Sequence, residues 1–191
     1  MIQEILTDAE TRMKGALTVL KSDLDGIRTG RATPALVERL DVEYYGSQTP
    51  FNQVATISCP DARTIMIRPF ESSLIRAMEK VIQASELGLT PSNDGKSIRL
   101  MLPPLTEQRR KELVKVVGSR LEDTRVAIRN VRRDAARDIK DAEKEKLISE
   151  DEMKKGEEKL QKLTDKQIAE IEVIGKKKEA EIMIEIGRAH V

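Results

Sequence analysis

Aromatic side chains are nearly absent from this 191-residue chain, which holds two tyrosines, two phenylalanines and no tryptophan. A core of stacked rings is excluded, and the 35% of charged residues points to long amphipathic helices instead. The single cysteine excludes an internal disulfide, and Cys59, in a run from Val54 to Cys59 that reads as a buried strand, is expected to be a small core residue. The single histidine, His190, stands next to the last residue, so no histidine metal site or general base can form around a folded core. There is no phosphate-binding loop of the GxxxxGKS/T form, and Asp61, Glu71 and Glu86 are scattered acids without a partner to tune them. The chain is therefore expected to be no enzyme and to need no cofactor or metal. No apolar run approaches the roughly 20 residues of a membrane-spanning helix. The opening MIQEILTDAE carries acids and resembles neither a signal peptide nor a transit peptide. These features imply a bacterial cytosolic location without membrane contact.

The chain is rich in arginine at helical spacing, nowhere more than in RVAIRNVRRDA, from Arg125 to Ala135. Val117, Thr124, Ile128, Val131 and Ala135 fall on one face of a helix there, with Arg125, Arg129, Arg132 and Arg133 on the other. Each guanidinium is a planar fork of donors that stays charged, so the stripe is suited to reading phosphate. Few acids answer it locally: from Thr106 to Asp141 there are eleven basic and seven acidic residues, against ten and thirteen from Glu143 to Glu185. Charge is thus polarised along a chain whose formal net charge is only +1. A plain solvated helix face is the competing reading of any charge run.

Helical periodicity opens the chain through Ile2, Leu6, Ala9, Met13, Ala16, Leu20, Leu24 and Ile27, and predicts a rod ending near Thr29-Gly30. Short β-prone runs follow at Leu40 to Tyr45, Val54 to Cys59, Thr64 to Arg68 and Ser97 to Leu102, separated by Gly46, Pro50, Pro60 and an Asn93-Asp94-Gly95 turn. Among them lies one helix, Leu74 to Leu87, stopped by Gly88, whose apolar set (Leu74, Ile75, Met78, Val81, Ile82) requires a sheet to rest on. After Pro103-Pro104, Thr106 can cap a long helix with its seam at Leu113, Val117, Leu121, Ile128, Val131, Ala135, Ile139 and Ala142. Ser149 and Glu152 form a capping box flanked by a staple of Ile148 and Met153, and a last helix then uses Leu160, Leu163, Ile168, Ile171, Ile174 and Ile182.

The expected fold is α+β. Residues 1–30 and 105–185 form an elongated antiparallel three-helix bundle, and 31–104 form a small β/α/β domain inserted between the first and second helices. Gly30, Arg31, Pro103 and Pro104 mark the two crossings, which act together as a hinge. Residues 186–191, IGRAHV, resemble a translated sequencing adapter and are expected to be a non-native tail.

The same sequence blocks resemble the ribosome recycling factor family. They are GIRTGRATP from Gly26 to Pro34, VEYYG from Val42, LGL from Leu87, LPPLTEQRRKEL from Leu102 to Leu113, and the arginine stripe. ISED from Ile148, KLTD from Lys162 and KEAEIM from Lys178 continue the likeness to Met183. In this order and spacing they are highly specific. The resemblance implies a monomeric factor that binds the post-termination ribosome and, with elongation factor G and GTP, separates the subunits and releases messenger RNA and deacylated transfer RNA. It implies that Arg129, Arg132 and Arg133 contact large-subunit ribosomal RNA, with Arg125 in the same stripe and Arg28 and Arg31 as secondary contacts near the hinge. The inserted domain would face the GTPase. A coiled-coil scaffold leaves the proline-bounded insertion unexplained; a generic RNA chaperone is the strongest alternative.

Overall fold

The computed structural model describes the backbone of residues 1–188 and side chains through Met183. It divides into two compact units, one of Met1–Leu24 with Val114–Ala180, the other of Asp25–Leu113 with the chain from Glu181 onward. The class is α+β: three long helices, α1 (Ile2–Asp25), α5 (Glu107–Lys144) and α6 (Glu150–Arg188), and a small sheet domain. The expected tail at 186–191 falls on residues whose side chains lie outside those described.

In the first unit the three helices form an antiparallel bundle. Leu121 of α5 faces Gly175 of α6 and Ile139 faces Gly156, so α6 descends as α5 climbs. Ile2 also meets Gly156 and Arg12 reaches Asp134, which sets α1 against α5 in the same antiparallel sense. Buried Leu6, Ala9, Met13, Leu17, Leu20 and Leu24 make the seam of α1. Two expectations for this helix are corrected. Leu17 replaces the half-buried Ala16, and the helix stops at Asp25, one residue before Gly26, so Ile27 lies outside it.

Each long-helix terminus has a local cause. Thr106 Oγ1 accepts the N–H of Arg109 at 3.0 Å and starts α5. Its C-terminus closes with the Lys146 N–H donating to Glu143 O and the Leu147 N–H to Ala142 O, both at 2.9 Å, with Lys146 at φ 61. This is a Schellman motif with lysine where glycine is usual. The capping box then starts α6: the Glu152 N–H donates to Ser149 Oγ at 3.1 Å and the Ser149 N–H to Glu152 Oε1 at 3.4 Å.

The seam of α6 differs from expectation. Leu160, Ile171 and Ile182 are buried, but Leu163, Ile168 and Ile174 are only half-buried, because the centre of the seam runs through Gly156, Thr164, Gln167 and Gly175. The two glycines let neighbouring helices approach: a Cβ on Gly175 would stand 2.4 Å from Leu121 Cδ1 and one on Gly156 3.3 Å from Ile2. Thr164 satisfies its own burial by donating to Leu160 O at 2.8 Å.

The second unit carries a hairpin, β1 (Asp41–Tyr44) with β2 (Ser47–Pro50), and a four-stranded antiparallel sheet. The sheet has the order β3 (Ala55–Asp61), β4 (Thr64–Pro69), β6 (Ile98–Met101), β5 (Pro91–Asn93). One-turn helices α2 (Ala35–Glu38) and α3 (Phe51–Val54) and the longer α4 (Ile75–Ala84) complete it. Phe51, Ile65, Ile67, Met78, Ile82, Ile98 and Leu100 are fully enclosed in its core. The strand expected from Val54 begins at Ala55 and runs through Pro60, which occupies an irregularity of an edge strand rather than separating two elements. Cys59 is half-buried at the margin of the core. The α4 helix ends at Ala84 instead of Leu87 because the Ser85 hydroxyl and N–H both turn back onto Ile82 O, at 2.6 and 3.2 Å. Gly88 instead holds a left-handed φ of 66 in the following loop.

Candidate nucleic-acid interface

The buried face of α5 fixes where its arginines point. Leu121, Thr124, Ile128, Val131 and Ala135 are buried, so the positions between them turn to solvent. Arg125 does not stay there. Its guanidinium donates through Nε at 3.2 Å and through Nη2 to Glu172 Oε1 on α6, and through Nη1 to Glu122 at 3.1 Å. These bonds, that to Glu172 foremost, hold its pKa above the ordinary arginine value. The expectation that few acids answer the stripe is corrected at this end: Arg125 is a cross-helix clamp with its charge matched.

The other three differ. Arg129 is 53% exposed and among the described residues reaches only Glu122, at 3.4 Å. The Arg125 hydrogen bond, followed by burial and then the Arg129 charge, acts on Glu122 with a net lowering of its carboxyl pKa. Arg132 donates to the neutral Gln161 Oε1 at 3.3 Å and Arg133 to the neutral Asn130 Oδ1 at 2.9 Å. Among the described residues neither makes an ion pair. Three exposed guanidiniums thus stand within about 6 Å of helix rise, two of them resting on amides that a phosphate oxygen can displace.

Arg28, Arg31 and the crossings Gly30-Arg31 and Pro103-Pro104 all lie in the second unit. Arg31 is exposed, while Arg28 is buried, donates from Nη2 to Pro103 O and keeps an Nε without a partner. Burial, and secondarily the charge of Arg109, depresses its pKa. The two crossing segments are pinned to one turn: the Ala32 N–H donates to Ala62 O and the Leu102 N–H to Arg63 O, both at 2.7 Å. Pro103 and Pro104 are exposed between buried Leu102 and Leu105.

The profile of the family described as "Ribosome recycling factor" matches residues 20–183. The chain belongs to the ribosome recycling factor family. It is 56% identical over 183 residues to the ribosome-recycling factor of Symbiobacterium thermophilum, and 53% identical over 183 residues to that of Thermomicrobium roseum. Each alignment covers 96% of this chain and 99% of the relative. A solution structure of the ribosome recycling factor superposes with a TM-score of 0.75 at 47% identity, covering 95% of this chain and 97% of that one. Models for the T. thermophilus ribosome recycling factor and the E. coli elongation factor G bound to the E. coli post-termination complex match with a TM-score of 0.66 at 46% identity, covering 95% of this chain and 98% of that one.

Arg12 and Arg110 lie outside the stripe. Arg12 of α1 meets Asp134 at 3.2 Å, and Asp134 also receives Arg137 at 3.5 Å. Arg110 is 6% exposed, with its Nε unpartnered. The sequence carries a signal for Arg110, since it stands three residues before Leu113 and seven before Val117 on the inward seam of α5. Among the described residues no cluster of His, Cys, Asp and Glu could hold a metal, and no helix is long and apolar enough to cross a membrane.

Proposed function

We propose that this chain binds the post-termination ribosome as a monomer in the cytoplasm and, with elongation factor G and GTP, drives subunit dissociation and release of messenger RNA and deacylated transfer RNA. The observation that carries the reading is the exposed trio Arg129, Arg132 and Arg133 on a rigid 38-residue helix, two of them held by neutral amides and free to take phosphate oxygens. The T. thermophilus relative standing with elongation factor G on a post-termination complex supports the choice of partners. In this reading Arg125 holds the stripe in register from behind, and Arg28 braces the Pro103 crossing of a hinge formed by Gly30, Arg31, Pro103 and Pro104. Domains at 1–30 with 105–185 and at 31–104 would be the moving parts. The factor itself catalyses nothing; the GTPase supplies the work.

The test is a subunit-splitting assay on purified post-termination complexes, run beside binding to large subunits. Wild-type protein should saturate at one copy per ribosome and split the subunits only with elongation factor G and GTP. Arg132→Ala should bind more weakly and with a shallower salt dependence. Equal binding to large subunits and to random RNA would replace this reading with that of an RNA chaperone.

A further inference from the structure

Of the chain's four aromatic residues only Phe51 is fully buried; Tyr45 is 85% and Phe70 is 70% exposed. A chain of contacts links these two. The Tyr44 ring meets that of Tyr45 edge-on with centroids 4.5 Å apart, and its hydroxyl donates to Glu71 Oε1 at 2.9 Å, the residue after Phe70. Tyr45 is also strained. It forms with Gly46 the two-residue turn between β1 and β2, at φ 49 and 82, where both central positions are left-handed and asparagine-glycine or glycine-glycine is favoured. A bulky aromatic there costs local stability, and its edge-on contact with Tyr44 is a partial offset for a ring that is 85% exposed.

We propose that this edge, Tyr45 with Phe70 and the Tyr44–Glu71 pair behind them, docks a protein partner whose face offers an apolar recess edged by lysine or arginine. The charge around it selects that occupant. The hairpin from Asp41 to Pro50 holds the exposed acids Asp41 and Glu43 and no base, Glu71 adds a third exposed carboxylate, and the exposed Arg68, two residues before Phe70, donates to Ser97 Oγ at 3.4 Å. Single-stranded RNA stacks on aromatics where a basic track carries its phosphates, and acids repel it. Basic side chains instead gain from the carboxylates and from the tyrosine faces. Large aromatics at the centre of such a contact carry most of its energy.

This inference rests on the ribosome-recycling reading for the reaction in which the partner is met, and its test separates the two. Tyr45→Asn suits the left-handed turn and gives up the ring contact with Tyr44, two effects of opposite sign, so the variant should melt close to the wild-type temperature. Its binding to isolated large subunits should be unchanged, while splitting with elongation factor G and GTP falls by about tenfold or more, the size of a lost hot spot. Tyr45→Phe should restore splitting. Splitting by Tyr45→Asn at the wild-type rate, with intact wild-type splitting alongside, overturns the inference and leaves the function standing. Photoreactive benzoylphenylalanine at position 45 gives a readout independent of splitting, using purified ribosomes with elongation factor G. A crosslink to a protein segment containing lysine or arginine supports the proposal; a crosslink to RNA, or none, overturns it.

Discussion

Gly175→Ala should destabilise the bundle although alanine is the better helix former. A Cβ there would lie 2.4 Å from Leu121 Cδ1, 3.1 Å from Cδ2 and 3.3 Å from Cγ, well inside the ~3.5–4.0 Å of normal carbon contact. Leu121 is 6% exposed and cannot swing into solvent, so the added methyl overpacks a closed site at a cost of about 1–3 kcal/mol. Helix propensity returns about 1 kcal/mol. The net should be a loss of about 0–2 kcal/mol. Gly118→Ala is the control: it sits inside α5 with nothing within 4 Å of its virtual Cβ and should gain about 1 kcal/mol. In a Leu121→Ala background the clash is gone, and Gly175→Ala should become stabilising. Urea unfolding followed by far-ultraviolet circular dichroism, which reads the three long helices, gives all four corners of the double-mutant cycle. The same gain from Gly175→Ala and Gly118→Ala in the wild-type background would refute the close approach of α5 and α6 at this point.

Lys146→Gly should raise stability by about 1 kcal/mol, since the Schellman position has a left-handed φ of 61 that glycine adopts freely; a thermal melt checks it. Arg125→Ala should lower the melting temperature by breaking the tie to Glu172, whereas Arg132→Ala should leave it unchanged and weaken large-subunit binding, costing roughly 1.5–3 kcal/mol of charge-assisted contact. Stability should fall in acid below the ordinary aspartate value of 3.8, because backbone N–H groups of Arg63 and of Lys96 and Ser97 hold Asp61 and Asp94 below it. With the folded pKa depressed, their contribution is present above the unfolded value and lost as pH drops through the folded one. A pH series of urea midpoints should show Asp61→Asn and Asp94→Asn flattening that acid limb.

The class of fold and the starts of α5 and α6 were legible because each rested on local chemistry: the Thr106 cap, the Ser149 and Glu152 box, and the alternation of Ile128, Val131 and Ala135 with arginine. The end of α1 was not, because the apolar spacing runs on to Ile27 past the last helical residue, Asp25. The α6 seam was not legible, because an apolar template passes over glycine, and because Thr164 and Gln167 are buried by tertiary packing that no local window contains, the Thr164 hydroxyl being satisfied one turn back at Leu160 O. The strands β2 and β5, reading SQTP and PSN, carry no alternation; pairing with β1 and β6 makes them strands. At the interface, spacing alone separated the arginine face from the core. It could not show that Arg125 is claimed by an acid 47 residues away, nor that Arg28 is buried against a carbonyl from the far side of the insertion.

The two bonds to Ala62 and Arg63 bear on how such a protein can be assembled and altered. Because the chain enters at Ala32 and leaves at Leu102 against adjacent residues of one turn, the inserted segment begins and ends at nearly the same place. To the rest of the chain it presents the ends of a short loop, whatever its own length. Loop-closure entropy grows by only about 0.6 kcal/mol per doubling of length, so closed ends of this kind let a whole domain be gained, lost or exchanged at a bundle's connection with little thermodynamic disturbance. The segment between them is thus a transplantable cassette, one that protein engineers could swap between members of the family at Ala32 and Leu102.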